Sequence, residues 1–257
     1  MREIEQQVEL VQITANAEHM LERIARVCYS SESRMQCDDC NDGSCKKCAA
    51  RRTKFLSGLK NKHHDSIFEH AVATFKLTTD RGITHEFVRH RLASYTQSST
   101  RYIKYDDGIP VVVPFFRTEA EEKIWRGAMY ATENAYTKML AGGTPPQIAR
   151  DVLPTCTAAT LFVTANFREW RHILQLRLAA GAHPKIRTLA LSIWRQLVLH
   201  CPVYFDDLNS KFPLKCVECG RTIWAPIKDA DLEMTCSQCL REEMREMNGF
   251  NPVRYMD

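Results

Sequence analysis

The chain has no apolar run approaching the roughly 20 residues that a membrane-spanning helix needs, and this excludes a helical span. No secretory leader is expected: Met1-Arg2-Glu3-Ile4-Glu5-Gln6-Gln7 is polar and charged where an apolar stretch would stand. The expected compartment is the cytoplasm. No large excess of one charge is present either: 35 Lys and Arg face 31 Asp and Glu, a net charge of +4. So slight a basic balance suits an enzyme with phosphate-bearing ligands and does not by itself argue for nucleic acid. No internal repeat is visible. A chain of 257 residues allows one large domain, or one plus a small module.

Cysteine is plentiful instead. Eight of the 11 cysteines form four Cys-x-x-Cys pairs. In a reducing compartment such pairs read as metal ligands before disulfides. Cys216, Cys219, Cys236 and Cys239 have zinc-ribbon spacing, and four thiolates give Zn²⁺ a closed tetrahedral site. So small a unit cannot bury a sufficient core, so the metal would supply its folding energy. Cys37, Cys40, Cys45 and Cys48 form a second, more compact set, with Asp42-Gly43 as the turn between knuckles. Zinc is expected there ahead of an iron–sulfur cluster, with a redox dithiol as the competitor. The unpaired cysteines are Cys28, Cys156 and Cys201. Cys28 and Cys201 read as structural residues at apolar helix ends. Cys156, at a strand entrance, is the weak candidate for a nucleophile.

Periodicity sketches the elements. Residues 8–14 alternate as a strand, and Asn16 is placed to cap a helix to Val27. Residues 37–48 read as a loop and 49–60 as a helix. Residues 71–79, 111–114 and 158–165 read as strands. Gly82 breaks the chain before a helix carrying Arg89-His90-Arg91. Thr118 caps a long helix to about Leu140, Gly142-Gly143 ends it, and Thr144-Pro145-Pro146 starts the next. Asn166 caps a helix to Ala180, Pro184 starts another to about His200, and Thr222-Ile223-Trp224-Ala225 is a short strand.

The densest chemistry lies between Glu86 and Tyr102. Arg89, His90, Arg91 and Arg101 stand among Ser94, Tyr95, Thr96, Ser98, Ser99 and Thr100. Guanidinium forks grip phosphate at two points, and hydroxyls and backbone N–H groups fill the remaining oxygens. The alternative is a solvated basic helix face.

Arg89-His90-Arg91, followed after seven residues by Ser99, is similar to the signature of the flavin-dependent thymidylate synthases. Further segments resemble the family in order: residues 25–30, His64 to His70, Ala149-Arg150 to Leu153-Pro154, Asn166-Phe167-Arg168, Leu176-Arg177-Leu178 and Ala182-His183-Pro184. The ordered matches run from about residue 8 to 206, which is far more specific than a single short motif. Glu86 stands where many members carry Gln, Gln147 replaces an acidic residue, and His172 stands where Asn is common.

The resemblance implies an α/β chain of α+β type, with a mixed sheet flanked by helices, to which the cysteine spacing adds a small C-terminal zinc ribbon. It implies a catalytic domain over residues 1–212, with a Cys-rich insertion at 31–52; cysteine spacing and composition set off a ribbon at 213–241 and a tail at 242–257. It implies conversion of dUMP to dTMP with FAD, NADPH and 5,10-methylenetetrahydrofolate, and no cysteine nucleophile. Arg177 would be catalytic, stabilising charge on the uracil. Glu86, Arg89, Gln97, Ser98, Ser99, Thr100, Arg101, Arg150 and Arg177 would bind dUMP. His64, Ser66, Arg89, His90, Arg91, Gln97, Asn166, Arg168 and His172 would line the flavin. The family implies a homotetramer with active sites shared between subunits, and two zinc sites are expected in each chain. Methylation or hydroxymethylation of another pyrimidine nucleotide is the second reading. A metal-stabilised nucleic-acid binder is the third, disfavoured by the full set of pocket arginines.

Overall fold

The computed structural model describes residues 1–35, 37, 39–40, 43, 45–114, 116, 118–179, 181–211, 213–215 and 222–224. Asp42, the ribbon ligands Cys216, Cys219, Cys236 and Cys239, and the tail 242–257 lie outside the described residues. Two units emerge: Met1–Ala15 with Glu69–Trp170, and Asn16–Phe68 with Arg171–Asp257. The class is mixed, with helices and a sheet.

The first unit is built on a four-stranded sheet, in the order β2 (Gln7–Ile13), β3 (Val72–Asp80), β6 (Ala158–Asn166) and β4 (Ser94–Gln97). All three pairings are antiparallel. The sheet was expected to be mixed. Parallel pairing among the described strands is confined to the two-residue β1 (Arg2–Glu3) and β5 (Pro110–Val111). Strict alternation explains the antiparallel sheet, because antiparallel sheets bury one face whereas parallel ones bury both. In β3 Ala73, Phe75 and Leu77 are buried while Thr74, Lys76 and Thr78 are less so. Opposite them on β6 sit Ala165, Val163 and Leu161, all buried. A one-residue slip would turn this whole set out of the core.

Helix caps follow the chemistry of the sequence. Thr118 Oγ1 accepts from the Glu121 amide at 3.2 Å and starts α4 (Glu119–Ala141). Pro146 opens α5 (Pro146–Ala149), where a missing N–H costs nothing. Asn166 ends β6 and caps α6 (Phe167–Arg177), accepting from the Glu169 amide at 2.9 Å. The Trp170 indole N–H donates to the Ala73 carbonyl at 3.0 Å, and its ring meets Phe75 edge-on at 5.0 Å.

Gly82 does not break the chain. It lies in the first turn of α3 (Arg81–Phe87), which Asp80 caps by accepting from the Ile83 amide at 2.8 Å. The strand read at 111–114 is shorter, since β5 ends at Val111.

The second unit packs α1 (Ala17–Val27) against α2 (Lys46–Asn61), and α7 (Pro184–His200) and α2 against α8 (Pro202–Phe205). Asn16 precedes α1 in a left-handed conformation, and its side chain makes no capping bond. The helix α2 starts at Lys46, so Cys48 is helical rather than in a loop. Beyond α8 and its following turn, β7 (Pro213–Lys215) pairs with β8 (Thr222–Trp224) antiparallel. Ala225, the last residue of the expected strand, lies outside the described residues.

Phe68 and Tyr204 stack at 3.7 Å, and the Tyr204 hydroxyl donates to Asp65 at 3.1 Å. Asp207 takes both guanidinium arms of Arg171, at 2.7 and 2.5 Å, and the Lys60 ammonium at 3.2 Å. Burial pushes the Asp207 carboxyl up, but Arg171 and Lys60 outweigh it and hold the group at about 2. A folded pKa below the unfolded value of about 3.9 gives stability that is complete above about pH 4 and is lost as pH falls toward 2. Asp207→Asn should therefore destabilise the protein at pH 5 more than at pH 2.5 in denaturant unfolding. An equal loss at both would show that the ion pair is not the source.

Candidate active site and metal centre

The sheet explains how the basic segment reaches its position. β3 delivers the chain to Asp80 at the Ala158 end of the β3–β6 ladder. The helix α3 and the turn after it then run back, and β4 begins at Ser94, opposite Thr164. Arg89-His90-Arg91 lies in that turn, not on a helix, because α3 ends at Phe87. The Tyr95 hydroxyl secures the turn, lying 2.7 Å from both the Phe87 and His90 carbonyls.

The turn thus meets the start of α6. His90 is buried, and its Nδ1 lies 3.9 Å from a carboxylate oxygen of Glu169, also buried. Asn166 is at the same helix start, and Arg168 pairs with Glu69 at 2.5 Å. Arg89 and Arg91, on either side of His90, are exposed. A buried imidazole between two outward guanidiniums suits a flat, phosphate-bearing cofactor: the arginines offer forks for pyrophosphate.

β4 leads from this turn to the hydroxyl-rich segment. The Gln97 amide donates to Thr84 Oγ1 at 3.1 Å. Ser98 and Thr160 exchange bonds at 2.9 and 3.1 Å. The Ser99 carbonyl accepts from Tyr102 and Ile103 in a tight turn, and Ser99 Oγ accepts from the Arg101 amide at 3.3 Å. Thr100 is buried within this turn and Arg101 points outward, exposed. The half-buried Glu86 belongs to α3, and Arg150 follows α5, also half-buried. The first unit therefore holds Glu86, Arg89, His90, Arg91, Gln97–Arg101, Arg150, Asn166 and Arg168. The second holds His64 and Ser66, exposed in the segment before β3, and His172 and Arg177 on the later turns of α6.

The cysteine quartet is assembled in the second unit. The four sulfurs of Cys37, Cys40, Cys45 and Cys48 lie within 4.8 Å of one another. Cys37–Cys45 and Cys40–Cys48 are each 3.7 Å apart. Four bonds of about 2.3 Å to one tetrahedral ion would set sulfurs about 3.8 Å apart, so the set fits a single zinc. An iron–sulfur cluster distributes its four cysteines over two or four irons and would spread the set further. Cys45 is the N-cap of α2, so the quartet straddles the start of that helix. Gly43 holds φ +74° in the loop, a conformation that favours glycine.

Sequence reading missed the support behind this loop. Arg52 donates to the Gly43 carbonyl at 2.7 Å and Arg51 to that of Met35 at 3.1 Å. Both also approach the fully buried Glu22, at 3.4 and 3.6 Å. Glu22 receives Arg26 at 2.5 Å as well. The i,i+4 spacing of Glu22 and Arg26 was the one visible signal.

The unpaired cysteines divide. Cys201 is buried, and that burial pushes its thiol up, away from thiolate. Cys156 directs its thiol to the Met129 sulfur at 3.4 Å, beside an apolar cluster. Cys28, read as sitting in an apolar helix end, is instead exposed at the end of α1.

The family described as thymidylate synthase complementing protein matches residues 9–203. A flavin-dependent thymidylate synthase from Geobacter sulfurreducens is 34% identical over 237 residues, covering 89% of this chain and 99% of the relative. The chain belongs to the flavin-dependent thymidylate synthase family. A family member from Mycobacterium sp. (strain KMS) is 33% identical over 211 residues, covering 74% of this chain and 79% of the relative. Among solved structures, the UMP/dUMP methylase PolB from Streptomyces cacaoi bound with 5-Br dUMP shares the fold. It has a TM-score of 0.68 at 23% identity and covers 82% of this chain and 97% of that one. The family match ends before the C-terminal cysteine pairs.

The turn and the quartet can each be tested by one substitution. Tyr95→Phe removes the donor shared by two carbonyls and should lower unfolding free energy by about 1 kcal/mol; an unchanged denaturant midpoint would deny the hydroxyl its anchoring role. Cys45→Ser should lower bound zinc by one equivalent per chain by elemental analysis, and equal metal content would rule the quartet out as a zinc site.

Proposed function

We propose that this protein is an FAD-dependent thymidylate synthase. It converts dUMP to dTMP, draws the one-carbon unit from 5,10-methylenetetrahydrofolate and reducing equivalents from NADPH, and uses no cysteine nucleophile. One observation supports this most: the fold brings buried His90 against the start of α6, beside Asn166, with Arg89 and Arg91 outward. This lies within a chain of that family.

When bound, reduced flavin supplies the hydride chemistry that no side chain carries. The chain's own residues bind and polarise. Arg89 and Arg91 hold the cofactor's phosphates, and His90 and Asn166 contact its ring system. Ser66, His64, Arg168 and His172 complete the flavin contacts. Gln97, Ser98, Ser99, Thr100 and Arg101 hold the nucleotide with Glu86. Arg150 reaches its phosphate from a neighbouring subunit of a homotetramer. Arg177 sets a fixed cation beside the uracil, where negative charge develops as C5 becomes nucleophilic. One such donor in a dry site is worth roughly 3 kcal/mol.

A second reading is supported by the name of the fold neighbour, a methylase of UMP as well as dUMP. Glu86, where many members carry Gln, belongs to the set assigned to the nucleotide, so another pyrimidine nucleotide is the alternative substrate.

Heat-denatured protein should release about one FAD per chain, and dUMP should be methylated faster than UMP or dCMP. Preferred turnover of UMP would favour the second reading, and failure to bind FAD would overturn both. Arg177→Ala should lower turnover at least about a hundredfold, as loss of one such donor does, with flavin retained. Substantial residual turnover would remove Arg177 from the chemistry.

A further inference from the structure

A cleft of about 730 Å³ opens in the second unit along α1 and α2, and none of its lining residues is among those assigned to substrate, flavin or zinc. Five of its lining side chains are cationic, Arg26, Arg34, Arg51, Lys54 and Lys62, and none is acidic. Arg34, Lys54 and Lys62 form no ion pair among the described residues. Arg26 and Arg51 share the buried Glu22 with Arg52, so three guanidiniums meet one carboxylate. The local surplus is positive even where a counter-charge exists. Like charges brought together in this way repel, and an anion relieves them.

The cleft is more than a solvated basic face. Arg26 is 4% exposed and lies 4.3 Å over the Phe55 ring, which lines the same space. Arg51 is tied by its bond to the Met35 carbonyl. Two of the cations are therefore held in place, and an aromatic floor lies beside them. Held cations with an apolar floor suit a phosphate ester that carries an organic group, and the volume falls within the range of small-ligand sites. Guanidinium groups favour phosphate through two-point contacts.

We infer that this cleft binds a multiply charged, phosphate-bearing ligand of nucleotide size. The inference does not rest on the proposed catalytic function, because the cleft and its test use other residues and a binding readout.

The test is calorimetric titration of the full-length, zinc-loaded protein, presaturated with FAD and dUMP, with inorganic triphosphate and with ATP. Saturable binding of one equivalent per chain is expected. The double variant Arg34→Ala/Lys54→Ala should weaken it about tenfold or more, consistent with lost charge-assisted bonds. Gly58 offers an independent variant: it lines the cleft, and an added Cβ would meet nothing within 4 Å. Gly58→Met should fill the space, leave thermal stability intact or raised as expected in a helix interior, and abolish binding. Tighter binding of ATP than of triphosphate identifies a nucleotide ligand, and equal affinity identifies free polyphosphate. No saturable binding, or binding unchanged in both variants, would overturn the inference. So would preference for a 12-residue single-stranded DNA with a salt slope of more than about four phosphates, which would make the cleft a nucleic-acid surface.

Discussion

The antiparallel ladder between β3 and β6 is the constraint on which the first unit depends. Nine consecutive residue pairs, from Val72 opposite Asn166 to Asp80 opposite Ala158, fix both strands in one register. Each strand ends in a helix cap. Asp80 closes β3 and starts α3, and Asn166 closes β6 and starts α6. The two caps lie at opposite ends of the ladder. A helix leaving one end and returning along the sheet must therefore deliver its following turn to the other. That is how His90 comes to within 3.9 Å of Glu169. Packing holds the register: Phe75 and Leu77 face inward with Val163 and Leu161, and Trp170 is tied to the Ala73 carbonyl. The candidate site is thus a consequence of sheet register, and a slip would move the Arg-His-Arg turn as surely as it would expose the core.

Much of this was legible because its signals are local. Thr118, the Thr144-Pro145-Pro146 segment, Asn166 and Pro184 mark helix starts through chemistry confined to one turn. The alternation in β3 and β6 marks strands for the same reason. The strand β4 was not legible: Ser94-Tyr95-Thr96-Gln97 has a single large apolar side chain, and only pairing with β6 makes it a strand. The basic turn was read as helix because Arg89 and Arg91 continue the polar pattern of α3. Backbone bonds end that helix at Phe87, and the Tyr95 hydroxyl holds the Arg-His-Arg turn in place beyond it. The identities of the site residues came from ordered motifs. Their assembly depends on long-range pairing, which no local window contains.

The cysteine quartet shows a different balance. Spacing alone proposes four ligands, but it cannot show that the sulfurs converge. The structure brings them to separations that one tetrahedral ion would impose. The convergence is not maintained by the loop alone. Arg51 and Arg52 bond loop carbonyls and also face Glu22 on α1, joining the insertion to the helix behind it. A buried carboxylate without cations would be severely penalised, and a single ion pair often fails to repay its desolvation. Three guanidiniums change that balance and leave positive charge over. The same arrangement that anchors the insertion therefore makes the adjoining cleft electropositive.

The cysteines among the described residues also bear on the proposed chemistry. A nucleophilic thiolate needs access and a positive or basic neighbour. Cys201 has neither access nor a low pKa, since burial pushes its thiol up. Cys156 spends its thiol on a sulfur contact beside apolar packing. Cys37, Cys40, Cys45 and Cys48 are gathered on one another. Cys28 is exposed but stands at the end of α1, apart in sequence from every residue of the Arg-His-Arg segment. In the proposed reaction, activation of the pyrimidine would come from fixed positive charge rather than from covalent addition of sulfur. In that proposal Arg177 supplies the cation at the uracil, while the exposed Arg89, Arg91 and Arg101 meet the ligands' phosphate-bearing parts. Preorganised cations cost little reorganisation as charge develops, which is the condition under which electrostatic stabilisation contributes most to rate.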